Sequence, residues 1–533
     1  MSEIAGVHGV FVPADESITR FSTGHMAQRV MINESFIMVE DPWLGDFVIN
    51  DPLMYDFFTT PNALRSLGVS QLCKSKESST IPNLASFDRG WGLLAQNRAV
   101  DYFGKQEGLS QDHIRAIHLK LEGNDQAHPA FSHELELAVQ RWGGPENWHE
   151  QIWPNIARRG GTTKVLDTWN VTYNDQIEIP GFKIPEWAAA TDRSDIDIDR
   201  LQYIAAEALL WFDNDYVDPA ARAKIKGALS LDNFVITPEG KLAFKDAENA
   251  LVVSKLLMLF STEHWNDPLN RAHLHLGIHA VQRTILKRRM PWMDEVDKGE
   301  TRTPSYYYHA IDSSFTEALE TGPGRSDNFI YQISNTLNAS GMEERRKFID
   351  YRLGEYCRFI LDDNAQNYPS DYLEPKRVEF GHKSSSVQTE VVALTEEDRE
   401  RLSHVKVPSL DSDTDKLSYT AGPLKNRYIN PLVQTANGFV RLTEAVKPFA
   451  PLLQEQQYLQ AQGVKVSFTF NPEYASDFRE GMEQNDHNFN EITHNRDMTE
   501  DQHRRVIELA AQKSIDEKVK AGRLILKREL QIA

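Results

Sequence analysis

Apolar residues recur at intervals of three and four positions in one segment of this chain after another. Such spacing places the apolar side chains along one side of an α-helix, and helices of this kind bury those sides against each other. The sequence therefore predicts a helical core with long connections. The predicted helical segments are residues 51–67, interrupted at Pro61, and residues 91–103, 111–121, 199–212, 251–260, 271–286 and 343–361.

Strand-like alternation is confined to two places. Residues 234–236 and 242–244 flank the turn Pro238-Glu239-Gly240, which is typical of a small β-hairpin. A second alternation of apolar and polar residues predicts a strand near the C-terminal end, at Val464, Val466, Phe468 and Phe470. The expected fold class is therefore all-α, with a small α+β part towards the C-terminus.

The composition of the chain argues against some classes of binding partner. The chain has 533 residues, with 58 Lys and Arg against 78 Asp and Glu, and a net charge of −20. An anionic surface repels phosphate backbones, so a nucleic-acid partner is not expected. The only two cysteines, Cys73 and Cys357, form no disulfide framework. Because no stretch is long and apolar enough for a membrane span, we expect a soluble, cytoplasmic protein without a membrane partner.

Shifts in composition predict how the chain is organised. The residues between about 380 and 423 become polar and acidic, as in a linker or an exposed excursion. The predicted parts are an N-terminal extension 1–40, a helical domain 41–380, a polar linker or excursion 381–424, an α+β subdomain 425–475 and a charged helical tail 476–533.

The richest chemistry lies in residues 124–133, which read Asn-Asp-Gln-Ala-His-Pro-Ala-Phe-Ser-His. A helix that carries Asp125 and His128 on one side would end at Pro129, and a loop or a new helix would then present His133. This grouping of one acid and two imidazoles is suggestive of a site, although taken alone such a cluster is more often without function.

A second set of polar residues has the spacing of one helix face. Asp199, Tyr203 and Glu207 follow each other at intervals of four, so a helix would show a carboxylate, a phenol and a second carboxylate together. The neighbouring Asp195 and Asp197 are better explained as acidic residues that complement the helix dipole. By itself, His149 is more typical of a surface or packing histidine.

Taken in order, several blocks of the sequence resemble the HD-domain superfamily. Within it, the resemblance is to the deoxynucleoside triphosphate triphosphohydrolases, which include bacterial dGTPases and the vertebrate SAM-and-HD-domain dNTPase. It covers about residues 41–470 and implies an HD-type helical core. The blocks are Asp41-Pro42-Trp43-Leu44-Gly45-Asp46-Phe47, Asp51-Pro52-Leu53, Leu64-Arg65-Ser66-Leu67, Ile81-Pro82-Asn83-Leu84-Ala85, residues 124–133, Trp148-His149-Glu150-Gln151, residues 196–207 and Asn426-Arg427-Tyr428-Ile429-Asn430-Pro431-Leu432-Val433.

The resemblance also implies a metal site, and this chain departs from it. Family members bind one or two metal ions through a first histidine, a His-Asp pair and a distant aspartate. The matching positions here are Gly92, Asn124 with Asp125, and Asp199, so both histidines are replaced. Two carboxylates would hold Mg²⁺ or Mn²⁺ weakly, with help from the phosphates of a bound nucleotide. Recruitment of His25 or His118 in place of a missing histidine is a further alternative.

This chain has the types of residue that the resemblance assigns to proton transfer. His128, His133 and His149, with Glu136, match the imidazoles and the carboxylate that act at the scissile phosphate. An imidazole titrates near neutral pH and suits proton transfer to a departing oxygen. These four residues are therefore the expected catalytic set.

The resemblance assigns four further residues to the nucleotide. Arg89 matches an arginine that binds phosphate, and Arg200 stands where a lysine often does so. Tyr203 matches a tyrosine that packs on the sugar, and Glu207 belongs to the same helix face. The family segment that matches residues 263–271 supplies Arg, His and Tyr to the nucleotide, and this chain departs from that pattern.

Two functional hypotheses follow. In the first, the chain is a dNTP triphosphohydrolase-like protein that binds a nucleotide triphosphate, with metal-dependent hydrolysis weakened or lost through Gly92 and Asn124. In the alternative, it is a catalytically inactive HD protein that acts as a nucleotide-binding regulator or as a subunit of an assembly. In both cases, the resemblance implies a homo-oligomer.

Overall fold

The computed structural model describes the greater part of the helical core and of the C-terminal sheets. Of residues 89, 124, 125, 173–174, 176–177, 378–380, 385 and 417 it describes the backbone only. The described residues are 30–41, 45–60, 63, 66, 89–125, 128, 162–169, 171, 173–174, 176–177, 182–192, 194–213, 217–269, 271, 352–365, 368–370, 372–380, 385–399, 417–422 and 427–469.

Ten helices are found among these residues. They are α1 (Pro52–Phe58), α2 (Arg89–Gln106), α3 (Gln111–Asp125), α4 (Thr162–Thr168), α5 (Ile198–Phe212), α6 (Pro219–Leu229), α7 (Ala247–Leu259), α8 (Leu353–Leu361), α9 (Leu442–Ala445) and α10 (Phe449–Gln460). A 3₁₀ turn, Leu231–Asn233, follows α6, and a π-helical segment, Phe260–Trp265, continues α7. Within the described residues, no helix is long and apolar enough to cross a membrane.

The described strands form three small sheets and one two-stranded ribbon. The strands are β1 (Val30–Ile32), β2 (Ile37–Val39), β3 (Phe47–Ile49), β4 (Tyr173–Asn174), β5 (Gln176–Ile177), β6 (Phe234–Ile236), β7 (Leu242–Phe244), β8 (Lys376–Phe380), β9 (Ser385–Val392), β10 (Leu417–Ala421), β11 (Leu432–Thr435), β12 (Gly438–Arg441) and β13 (Gly463–Thr469). The strand orders are β1-β2-β3, β10-β13-β9-β8, β12-β11-β7-β6 and β4-β5. Neighbouring strands are antiparallel except β11 and β7, which are parallel.

The fold is therefore mixed, and the all-α prediction is correct only for the helical core. The hairpin β6-β7 and the strand β13 confirm the strand predictions. The three-residue strands β1, β2 and β3 were missed because they are too short to show alternation. One sheet takes β6 and β7 from the predicted helical domain and β11 and β12 from the predicted C-terminal subdomain.

Two stretches of the predicted linker or excursion 381–424 are strands, because β9 and β10 both pair with β13 in a regular sheet. In β9, Val387 and Thr389 are buried, whereas Gln388 and Glu390 are exposed. A strand with one solvated face has a polar average composition, which resembles that of a linker. The predicted helix 271–286 and the predicted tail 476–533 lie outside the described residues, apart from Arg271.

Helices α2 and α3 form an antiparallel hairpin whose register is fixed by polar contacts. The His118 Nε2 atom lies 3.0 Å from Asp101 Oδ1, and Asn97 Nδ2 donates to Glu122 Oε1 at 2.5 Å. At the turn, a Cβ atom on Gly104 would lie 2.7 Å from the Ile114 side chain, so the two helices meet there only because residue 104 is glycine. This register places Gly92 and the Asn124-Asp125 end of α3 at the same end of the hairpin.

Helices α5 and α7 form the centre of the helical core. Asp197 caps α5 by accepting a hydrogen bond from the Arg200 backbone N–H at 2.8 Å, and Asp246 caps α7 in the same way through Asn249. Helix α7 is buried along nearly its whole length, and α2 packs between α3 and α5. The carboxyl-terminal end of α5 is held by aromatic contacts, with the Trp211 ring 5.3 Å from that of Phe260.

A buried ammonium group connects α7 to α8. The Lys255 side chain is fully buried, and its Nζ atom donates to the carbonyl oxygens of Phe359 at 2.7 Å and Asp362 at 2.6 Å. The same atom lies 4.7 Å from the centre of the Phe359 ring. Lys255 therefore satisfies carbonyl groups at the end of α8 that have no partner within that helix.

Lys255 should make stability depend on pH in the alkaline range. Burial lowers the pKa of Lys255 from its ordinary 10.5 to about 8. Between these values the unfolded chain binds the proton and the folded chain does not. The free energy of unfolding should therefore rise with pH, by about 3 kcal/mol in all.

The difference between wild type and Lys255→Met in urea denaturation from pH 7 to 11 measures this contribution. Lys226→Met, at an exposed position of α6, is the matched control and should follow the wild-type curve. Parallel curves for wild type and Lys255→Met would contradict the assignment.

Candidate functional site

A buried carboxylate lies at the centre of the candidate site. Glu207, on α5, is fully buried, and its Oε1 atom accepts a hydrogen bond from Trp265 Nε1 at 3.1 Å. Its Oε2 atom lies 3.2 Å from Nδ1 of His264, whose side chain is also fully buried. His264 and Trp265 belong to the π-helical segment after α7, and such segments often occur at functional sites. The neighbouring segment thus donates a hydrogen bond to one oxygen of the buried carboxylate and places the His264 ring beside the other.

Tyr203 lies one helical turn before Glu207 and faces Trp265. The two rings meet edge to face with their centres 5.5 Å apart. Burial raises the pKa of Tyr203, and the nearby Asp199 carboxylate raises it further, although the cation of Arg427 opposes both effects. Tyr203 is therefore a neutral phenol at physiological pH and can donate a hydrogen bond.

Arg427 completes this group of side chains. Its guanidinium carbon lies 4.9 Å from the centre of the Trp265 ring and 5.5 Å from the centre of the Tyr203 ring, which are cation–π distances. Its backbone is fixed on both sides: its N–H donates to Gln460 at 3.0 Å, and its carbonyl accepts from Ser261 at 2.9 Å. We use the name α5 cluster for Tyr203, Glu207, His264, Trp265 and Arg427.

The sequence predicted only two members of the α5 cluster. Tyr203 and Glu207 were expected on one helix face, whereas His264, Trp265 and Arg427 received no role. Arg427 stands in one of the blocks that resemble the HD superfamily, which was the available signal. Its aromatic partners could not be read from the sequence, because no spacing pattern relates an arginine to rings on distant helices.

Arg200 holds the loop that precedes α5. Its Nη1 atom donates to the carbonyl oxygen of Asp192 at 3.1 Å and also to that of Asp195. The Asp197 carboxylate, which caps α5, lies 3.9 Å away. The Arg200 guanidinium is therefore engaged with its own loop, and the predicted contact with phosphate stays a prediction.

The two acidic residues attributed to the helix dipole have definite partners. Asp197 is the N-cap of α5, which agrees with the dipole explanation. Asp195 pairs with Lys241 at 2.8 Å and with Arg441. These pairs connect the loop before α5 to the sheet that contains β7 and β12.

The predicted metal positions are described only in part. Gly92 is buried in α2, and Asp199 is exposed in the first turn of α5, on the same face as Tyr203. Asn124 and Asp125 end α3, and their side chains lie outside the described structure. His118, the alternative ligand, is paired with Asp101. Among the described residues, no group of three or more His, Cys, Asp and Glu could hold a metal ion.

Most of the predicted catalytic set lies outside the described residues. His128 is buried, with 2% of its surface exposed, shortly after the end of α3. His133, Glu136 and His149 are not among the described residues. Arg89 is the first residue of α2, and its side chain is likewise outside the description. The catalytic roles of these residues stay predictions.

Comparison with known proteins gives no family assignment. No protein-family model matches the chain, and no curated protein matches it. Among solved structures, the chain resembles a phosphohydrolase from Bacteroides thetaiotaomicron, with a TM-score of 0.43 and 13% identity over 81% of this chain and 100% of that chain. A likeness at this level leaves function to be argued from the residues themselves.

Glu207→Ala should destabilise the fold strongly. The substitution leaves a cavity, removes the acceptor of the Trp265 N–H and removes the carboxylate beside His264, so we expect a loss of about 3–5 kcal/mol in the free energy of unfolding. Urea denaturation measures this change. The matched control is Glu248→Ala, which removes an exposed carboxylate 3.4 Å from Lys224 and should cost less than about 1 kcal/mol. Equal losses in the two variants would contradict the role given to Glu207.

Proposed function

We propose that this chain binds a deoxynucleoside triphosphate at the α5 cluster, and that its metal-dependent hydrolysis is weakened or lost. The observation that supports this proposal most directly is the position of Arg427. Its guanidinium lies against Tyr203 and Trp265, and among the described residues no carboxylate forms an ion pair with it. A half-buried cation beside aromatic rings suits a ligand that combines phosphate with a base and a sugar.

Each group of the α5 cluster has a part in this proposal. The Arg427 guanidinium offers its planar set of donors to a phosphate oxygen. The Tyr203 phenol donates to the ligand from one helical turn away, and its ring offers an apolar surface to the sugar. Glu207 and His264 are fully buried, so they act by holding Trp265 and α5 in place.

The residues at the proposed metal position fit a weakly held hard cation. Asp125 and Asp199 offer carboxylate oxygens, Asn124 offers an amide and Gly92 offers no side chain. Such a set suits Mg²⁺ or Mn²⁺ that arrives with the nucleotide, and it lacks the imidazoles that Zn²⁺ and Fe prefer. When bound, the ion would polarise the phosphate and activate water. His128, His133 and His149, with Glu136, would carry the proton to the departing oxygen.

The size of the metal ion's contribution to catalysis favours slow turnover by this chain. Loss of metal ligands removes an effect worth several kcal/mol, and each ~1.4 kcal/mol corresponds to a tenfold change in rate. The second candidate function, a nucleotide-binding regulator or assembly subunit, is favoured by Gly92, which offers no donor at all. Both candidates require the same nucleotide site, so they differ only in turnover and in the use made of binding.

Arg427→Gln should weaken nucleotide binding. We expect about tenfold or greater loss of affinity, because a charge-assisted hydrogen bond and a cation are removed together. Calorimetric titration with each of the four dNTPs in the presence of Mg²⁺ measures the effect. Arg358→Gln, at an exposed position of α8, is the matched control and should bind as wild type. Binding of no dNTP, or equal affinities in the two variants, would overturn the proposal.

The same preparations separate the two candidates. The release of deoxynucleoside and triphosphate is measured by chromatography after incubation with Mg²⁺ or Mn²⁺. Release that Asp125→Ala abolishes identifies an enzyme. Nucleotide binding that depends on Arg427, without release of deoxynucleoside or triphosphate, identifies the regulator. Metal content after purification tests the donor set independently of turnover.

A further inference from the structure

Two glutamines of α10 contact the backbone of Arg427. The Gln460 Oε1 atom accepts a hydrogen bond from the Arg427 backbone N–H at 3.0 Å, and Gln456 Nε2 donates to the Arg427 carbonyl at 3.1 Å. The Ser261 hydroxyl donates to the same carbonyl at 2.9 Å. Because Arg427 lies outside the helices and strands, these side chains supply the partners that its backbone lacks.

Both glutamines are buried, and each is bonded to Arg427 alone. Gln456 is 1% exposed and Gln460 is 2% exposed. Within the described part of the chain, the other polar atom of each amide, Gln456 Oε1 or Gln460 Nε2, makes no hydrogen bond. A buried amide with one unpaired atom is less favourable than an apolar side chain of similar size. The packing of α10 therefore gives no reason for glutamine at these positions, whereas the contact with Arg427 does.

The two amides have opposite hydrogen-bonding roles. A backbone N–H can only donate and a carbonyl can only accept, so Gln460 must present its oxygen and Gln456 its nitrogen. The two residues are four positions apart and share one face of α10. Other side chains of α10, among them Phe449 and Leu452, are buried in the core. Arg427 is thus attached through both of its backbone polar groups to a well-packed helix.

This attachment restricts where the Arg427 guanidinium can lie. An arginine side chain has many rotamers, and a fixed backbone limits them to those that reach the rings of Trp265 and Tyr203. A group that is already ordered loses less conformational freedom when it binds an anion. We propose that Gln456 and Gln460 are positioning residues, which increase the affinity of the α5 cluster for nucleotide phosphate by fixing Arg427. This inference rests on the proposed function of that cluster.

Calorimetric titration of the full chain with each of the four dNTPs and Mg²⁺ tests this role. Gln456→Met and Gln460→Met should each weaken binding about fivefold to tenfold, because each removes one hydrogen bond to Arg427. Gln454→Met, at an exposed position of the same helix, is the matched control and should bind as wild type. Thermal unfolding of the same variants gives a second readout. A lower melting temperature together with wild-type affinity identifies a purely structural role and overturns the proposal.

Substitution by glutamate tests the two hydrogen-bonding roles separately, even if the methionine variants fail to fold. A carboxyl group accepts a hydrogen bond in both protonation states but donates one only when it is neutral. Gln456→Glu should therefore bind nucleotide more weakly than Gln460→Glu as the pH rises and the introduced group ionises. Both variants place the same group on the same face of α10, so each is the control for the other. Equal dissociation constants of the two variants at every pH from 5 to 9 overturn the proposal.

The outcomes separate this inference from the proposed function. Weakened binding in Arg427→Gln, with wild-type affinity in the Gln456 and Gln460 variants, overturns this inference alone. Unchanged binding in Arg427→Gln, or no dNTP binding by wild type, overturns the proposed function and this inference with it.

Discussion

The buried carboxylate of Glu207 fixes the position of α5 against the π-helical segment that continues α7. Its Oε1 atom accepts a hydrogen bond from Trp265, and its Oε2 atom lies 3.2 Å from Nδ1 of His264 on the same segment. Because a buried carboxylate is tolerable only with such partners, the π-helical turn and α5 cannot move apart independently. The edge-to-face contact between Tyr203 and Trp265, and the cation–π position of Arg427, both depend on this arrangement.

The C-terminal part of the chain contributes a residue, Arg427, to the α5 cluster. Arg427 is fixed through its backbone by Ser261 from the π-helical segment and by Gln456 and Gln460 from α10. Strand β11 enters the same sheet as β7, and Arg441 on β12 pairs with Asp195 in the loop before α5. The aromatic and cationic groups that could recognise a nucleotide are thus brought together by a mixed fold.

Much of the helical core could be predicted from the sequence, because helical periodicity is a local property of a segment. The same holds for the hairpin β6-β7, where a Pro-Glu-Gly turn separates two apolar stretches. Strands β9 and β10 could not be predicted, since their pairing partner β13 is distant in sequence and their solvated faces lower the average hydrophobicity.

The candidate site was predictable in a similar, partial way. The spacing of Asp199, Tyr203 and Glu207 indicated one helix face, and the structure places all three on α5. The sequence could not show that Glu207 contacts His264 and Trp265. Nor could it show that Arg427, 166 positions after Ser261, lies beside the π-helical segment. That Gly92 and Asn124 stand at the positions of metal-binding histidines stays a prediction from the resemblance.

Hydrogen–deuterium exchange of the full chain, with and without a dNTP and Mg²⁺, tests most directly whether the α5 cluster is the nucleotide site. The account predicts slower exchange in the first two turns of α5 and in residues 427–430, because the ligand would join these two segments. No change in either segment under saturating nucleotide, or protection confined to other parts of the chain, would contradict it.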